Sequence, residues 1–192
     1  MKTDAKEYLL SLQAEVRDII SQFENNFAEL DVHDLIWKPS SEKWSIIECI
    51  EHINISNKIY MIDIKSVLED QNIDSGKLPE QYKSTIFGNF LANSLAPKNG
   101  KITRKLKTAK FLEPSIFEND TAPVIFEFRK QQNELLEMLD KAKQVDINKI
   151  KIPSFIKIFK LNIGDAFRVM INHEKRHLLQ AKYVTKFDKF PK

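Results

Sequence analysis

This chain of 192 residues contains one cysteine, four glycines and four histidines, and its 30 Lys and Arg nearly balance its 27 Asp and Glu. Each scarcity removes a class of function. Cys49 has no partner for an internal disulfide, which separates the chain from small disulfide-framed secreted domains. Four glycines are too few for a glycine-rich phosphate loop or a turn-dense β-fold. A net charge of +3 is too slight to imply nucleic acid, because Lys and Arg alternate with acids everywhere except in the patch from Lys98 to Lys110. No run approaches the roughly 18 apolar residues of a membrane span, and the N-terminus has no apolar signal-peptide core. A cytoplasmic location with neither membrane nor nucleic-acid partner is therefore expected.

What is present is amphipathic periodicity. With 42% hydrophobic and 30% charged residues, the chain has the balance of a globular protein and the length for one domain, residues 1–192. Leu9, Leu12, Val16, Ile19, Phe23 and Leu30 recur at spacings of three, four or seven and predict a first helix from Asp4 to Leu30. Pro39 and Ser40-Ser41 break the pattern. His33 reads as a surface residue and Trp37 as a packing lid. A second helix opens at Trp44-Ser-Ile-Ile-Glu48, where Ser45 and Glu48 form a capping box and Trp44 staples the entry. Its main stripe is Ile46, Ile50, Ile53, Met61, Ile64 and Leu68, and a second stripe is Ile55, Ile59 and Ile62. Glu51, Lys58 and Lys65 mark the outer side. Between the stripes lies a polar strip of Glu48, Cys49, His52, Ser56 and Asp63. Cys49 in that strip reads as a small core residue.

From Gln71 to Thr121 the pattern lapses, with a short helix expected within Gln81 to Leu91. So long a connection is uncommon unless it is functional. Pro123 starts a third helix running to Lys143, whose core face is Val124, Phe128, Leu135, Leu139 and Ala142, with Glu127 and Arg129 at the surface. A shorter connection follows, containing Pro153 and the apolar Ile156, Ile158 and Phe159, expected to pack over one end. Asn162 caps the last helix and Asp165 is its first-turn acid. Four amphipathic helices without a strand pattern indicate an all-α four-helix bundle with long connections between helices 2 and 3 and helices 3 and 4.

The last helix carries Ile171-Asn-His-Glu-Lys-Arg-His-Leu-Leu-Gln180. His173 and His177 stand about 40° apart around a helix axis with about 6 Å of rise, so both project from one face. Ile163, Ala166, Met170, Ala181 and Val184 share that face, whereas Asp165, Arg168, Asn172, Lys175, Arg176 and Lys182 are expected opposite. Inward imidazoles need partners, since burying an unpaired polar group costs a few kcal/mol. A carbonyl or carboxylate satisfies many core histidines, so a metal site requires a third ligand. His52, on the inward strip of the second helix, supplies one. Three imidazoles suit Zn, Ni or Fe and leave positions open for water or substrate.

Trp44-Ser-Ile-Ile-Glu-Cys-Ile-Glu-His52, followed over a hundred residues later by His173-Glu-Lys-Arg-His177-Leu-Leu-Gln180, resembles the DinB-like superfamily of metal-binding four-helix bundles. The basic stretch from Lys105 to Pro114 is similar to that family's long connection. The resemblance implies an up-down-down-up bundle with His52, His173 and His177 as ligands of a divalent metal. It also implies either a thiol-dependent transferase or isomerase using a low-molecular-weight thiol, or a metal-dependent hydrolase. Either enzyme would act on a small-molecule substrate through a metal-bound thiol or water. Glu48 is the candidate base or orienting residue beyond its capping role, and Lys101 to Lys110 could attract an acidic thiol. The alternative is a non-catalytic bundle that metal merely fastens, with a structural or stress-related binding role. A homodimer is compatible with either.

Overall fold

A computed structural model of the chain describes residues 2–70, 76–103, 107–114, 120–155 and 158–191. Among these are six α-helices: α1 (Ala5–Phe27), α2 (Val32–Ile36), α3 (Ile46–Glu69), α4 (Ile86–Leu95), α5 (Ala122–Lys141) and α6 (Ile163–Val184). The fold is predominantly helical. The four long helices are those the periodicity predicts, and they pack in a closed circuit in which α3 and α1 each lie against both α5 and α6. No helix among the described residues is long and apolar enough to cross a membrane.

Local chemistry sets the helix starts. Asp4 accepts from the Glu7 amide at 2.9 Å, and Pro123 occupies the first turn of α5. The Ser45–Glu48 capping box closes in both directions, with the Glu48 amide donating to Ser45 Oγ at 3.2 Å and the Ser45 amide to Glu48 Oε2 at 2.7 Å. Asn162 Oδ1 accepts from the Asp165 amide at 2.7 Å. The apolar faces expected for α1 and α5 are buried, including Leu9, Val16, Phe23, Phe128 and Leu135.

Several features depart from or refine the sequence expectation. Two short antiparallel ladders exist, β1 (Lys2–Asp4) with β2 (Gln81–Lys83) and β3 (Lys151–Pro153) with β4 (Lys160–Asn162). Three-residue strands lie below what alternation can reveal. The short helix expected within Gln81 to Leu91 starts at Ile86, where Thr85 Oγ1 caps the Gly88 amide at 2.9 Å, and runs on past Leu91 to Leu95. In the second stripe of α3, Ile62 is exposed and Ile55 and Ile59 are only half-buried, while Asn54 and Asn57 are buried. Ile158 is exposed rather than packed, Phe159 stacks on Phe87 with ring centres 4.3 Å apart, and Ile156 lies outside the described residues, as does Lys105.

The largest correction concerns α6, whose supposed solvent face is covered. Helix α4 and the segment 81–85 pack over it, burying Asp165 and Asn172, and Arg176 further along is buried as well. Asp165 is fully enclosed and accepts from Tyr82 Oη, Ser84 Oγ, the Thr85 amide at 2.9 Å and Thr85 Oγ1 at 2.8 Å. One carboxylate thus fastens the long connection to the helix that carries two of the site histidines.

Candidate metal centre

His52 sits in the second turn of α3, one turn beyond the capping box, and His173 and His177 project from successive turns of α6. Because α3 packs directly on α6, the three rings meet. Their centres are 4.9 Å (His52–His173), 4.3 Å (His52–His177) and 4.5 Å (His173–His177) apart, each pair inclined edge to face. One ligand atom from each ring falls within 4.8 Å of those of the other two. The indole of Trp44 backs the cluster, with its centre 4.8 Å from His52 and 5.8 Å from His177.

The protonation pattern follows from the partners. His52 Nδ1 lies 2.7 Å from the Leu112 carbonyl. A carbonyl only accepts, so Nδ1 carries the hydrogen and Nε2 is left with a lone pair. That Nε2 faces His173 Nε2 at 3.1 Å. Burial lowers the pKa of all three imidazoles, to about 3 for His173 and well below the usual value for His177, where the neighbouring rings and Arg176 add to the effect. Three uncharged imidazoles are what cation ligation needs.

A cation fits this set. With Zn–N bonds of about 2.0–2.1 Å, two nitrogens 3.1 Å apart subtend about 98° at the metal, between octahedral and tetrahedral values. The ring set also has a shortage that a cation would relieve. A hydrogen bond between His52 and His173 pairs those two rings through Nε2, whereas His177 Nδ1 is buried with no hydrogen bond among the described residues, with the Gln180 side chain near its ring.

The rings line a cavity of about 900 Å³, bounded also by Trp44, Tyr60, Leu112, Phe155 and Arg176. Its walls come from α3, α6 and both long connections. Phe155, from the second connection, is anchored by its amide donating to Tyr60 Oη at 3.2 Å.

The other residues singled out in the sequence lie elsewhere. Both oxygens of Glu48 are engaged, Oε2 by the Ser45 amide and Oε1 by Lys38 Nζ at 2.8 Å, and Glu48 is not among the residues lining the cavity. Cys49 is fully buried and its thiol is pushed up by desolvation, which disfavours thiolate. His33 is exposed beside Asp31 and Asp34, and Asp31 is spent on capping the Asp34 amide. Trp37 packs against Phe187 and Phe190.

Sequence reasoning overlooked Glu174, fully buried between the two histidines of α6 in the chain, with Oε1 accepting from Asn57 Nδ2 at 2.6 Å. A signal was available, because Glu174 stands three residues after Ile171 and four before Leu178, on an apolar stripe. Burial raises its carboxyl to about 7.

The family model of the DinB superfamily matches residues 16–181, a span that takes in all three histidines. Comparison with curated proteins and with solved structures yields no significant match. On the extent of the family match, the chain belongs to the DinB superfamily.

Proposed function

We propose that His52, His173 and His177 hold a divalent cation inside an up-down-down-up four-helix bundle, and that the protein is a metal-dependent enzyme acting on a small molecule in the adjoining cavity. The supporting observation is the meeting of three uncharged imidazoles on the wall of that cavity. The imidazole set suits zinc, nickel or iron. Bound there, the cation would lower the pKa of a water or thiol beside it, the chemistry shared by a hydrolase and a thiol-dependent transferase.

The chain's own residues supply the rest. The Leu112 carbonyl fixes the His52 tautomer so that Nε2 is free to ligate, the outer contact that orients a metal-binding imidazole. Trp44 shields two rings from water. Glu48 acts by position, setting the first turn of α3 one turn before His52. The cavity favours this reading over a purely structural cation, because structural sites are closed and these rings border open space.

Elemental analysis of protein purified without added metal tests the centre. About one equivalent is expected, and the His52→Ala variant should lose it. A chelator should lower the melting temperature, since a ligand at 1,000 times its Kd contributes about 4 kcal/mol, or about 8–16 °C for a chain of this size. Metal-loaded protein is then assayed against a panel of thiols and electrophiles. Stoichiometric metal without turnover above the His52→Ala control would defeat the enzymatic half of the proposal and leave a cation that only stabilises.

A further inference from the structure

A polar bond crosses the core between the two helices that carry the histidines. Asn57 Nδ2 on α3 donates to Glu174 Oε1 on α6 at 2.6 Å, with Asn57 only 1% exposed and Glu174 fully enclosed. Glu174 directly follows His173 in the chain, and Asn57 lies one and a half turns beyond His52. A carboxyl in that place works against the fold, since burial disfavours its ionised form and apolar side chains of similar volume often stabilise a core as well or better. What a buried hydrogen bond adds is direction.

Apolar contacts between helices tolerate small slides and rotations, whereas a short hydrogen bond inside the core holds one register. From His52 to Asn57 the side chain turns by about 140° around α3, and Glu174 stands about 100° from His173 around α6. The imidazole cluster and the Asn57–Glu174 bond thus tie the same two helices through different faces. One contact alone would let α6 roll against α3, and the two together prevent it. Such a roll matters because His173 and His177 must both reach a cation that His52 also holds, and a displacement of about 0.5 Å already loosens a preorganised site.

We infer that Asn57 and Glu174 are positioning residues for the metal centre: their hydrogen bond sets the rotation of α6 against α3 and so brings His173 and His177 to the distance from His52 at which one cation can be shared. The inference rests on the three histidines being the metal site proposed above. It makes neither residue a ligand; both act through the helices that carry the imidazoles.

Zinc affinity of the full-length protein, measured at pH 7 by competition with a chromophoric chelator, provides the test, and the absorption spectrum of the cobalt-loaded protein reports the geometry of the ligands. Thermal unfolding of each variant after chelator treatment measures the fold separately. Glu174→Met and Asn57→Leu each remove the bond and should weaken zinc about tenfold, the lower end of what is lost when the surroundings of a metal ligand are altered, and should change the cobalt spectrum. Glu174→Gln keeps an oxygen for Asn57 Nδ2 while removing the carboxylate charge, so it should hold zinc within about threefold of wild type with an unchanged spectrum. The double variant, Asn57→Leu with Glu174→Met, replaces both partners by apolar groups and should regain much of the stability that either single change removes. Its zinc affinity should stay about tenfold down and no lower than that of either single variant, because all three remove one contact. The double variant also serves if a single one does not fold.

Zinc affinity in the bond-breaking variants within about threefold of wild type would overturn the inference. So would a Glu174→Gln variant that loses as much as Glu174→Met, since the charge of the carboxylate and not its bond would then govern affinity. Affinity that returns together with stability in the double variant would make the pair ordinary core packing, and losses that add there would mean two unrelated effects; either result refutes a shared positioning bond. A wild-type protein that takes up neither zinc nor cobalt fails the metal proposal itself and this inference with it, an outcome that the first titration tells apart from the others.

Discussion

The Nδ1 of His52 donates to the backbone carbonyl of Leu112, 2.7 Å away and sixty residues further along the chain. Leu112 belongs to the long connection between α3 and α5, so this connection does more than cross the bundle. It fixes the ring that α3 contributes. The metal-free protein should accordingly show His52 as the neutral tautomer with hydrogen on Nδ1, which long-range proton–nitrogen spectra of labelled imidazoles can read. Finding the hydrogen on Nε2 in folded protein would remove the connection's role in preparing the site.

Burial also decides how the site responds to acid. An unfolded imidazole takes a proton near pH 6.5, whereas His173 in the folded protein resists until about 3. Between those values the unfolded chain binds more protons, so this group's contribution to stability is present above about 6.5 and is lost as pH falls towards 3. An exposed imidazole would put the onset of metal loss at about pH 6.5. Enclosure moves proton competition within the folded state to lower pH, and metal loss at pH 5 should track unfolding instead of preceding it. Melting of chelated wild type and His173→Leu across pH 4–8 checks the first point, with wild type declining more steeply on acidification. Metal content and circular dichroism on one acid titration check the second.

The four long helices and the three convergent histidines were legible because periodicity reports which residues share a face. What covers a face is another matter. Asp165 and Asn172 look like the wet side of an amphipathic helix, and α4 with segment 81–85 dries that side. The covering elements are a ten-residue helix and a three-residue strand, too short to display their own periodicity. Asn57 and Glu174 illustrate the converse. Each interrupts an apolar stripe, and each would have been flagged as buried had the stripe been trusted over the residue's polarity.

Asp165 and Gly88 make the covering of α6 testable. A Cβ on Gly88 would overlap the Asp165 carboxylate, and one on Gly164 would overlap the Tyr82 ring, which itself stacks on Tyr8 with ring centres 3.8 Å apart. The obstacles are buried and held by hydrogen bonds, so they cannot swing aside. Gly88→Ala should cost about 1–3 kcal/mol, the usual penalty of overpacking, lowering the melting temperature by about 3–10 °C. Tyr82→Phe keeps the stacking and removes one donor to Asp165, at about 1–2 kcal/mol. Thermal unfolding at neutral pH measures both, and a Gly88→Ala variant as stable as wild type would mean that the 81–85 segment is not locked onto α6.

Glu174 supplies a stability prediction with the opposite pH sign. Desolvation raises its carboxyl from an ordinary 4.5 to about 7, outweighing the Asn57 hydrogen bond and the nearby Gln132 amide that favour ionisation. The folded protein therefore keeps this proton over a range in which the unfolded chain has already released it. Stability from this group is full below about 4.5 and is lost as pH rises through about 7. The difference corresponds to about 3 kcal/mol. Glu174→Gln retains an oxygen to accept from Asn57 and has no proton to lose, so the variant should gain on wild type as pH rises and exceed it at pH 8. Denaturant unfolding of the two proteins at pH 4.5 and pH 8, both treated with chelator, gives the comparison. A gap between them that does not widen with pH would show that Glu174 ionises inside the fold as readily as outside it.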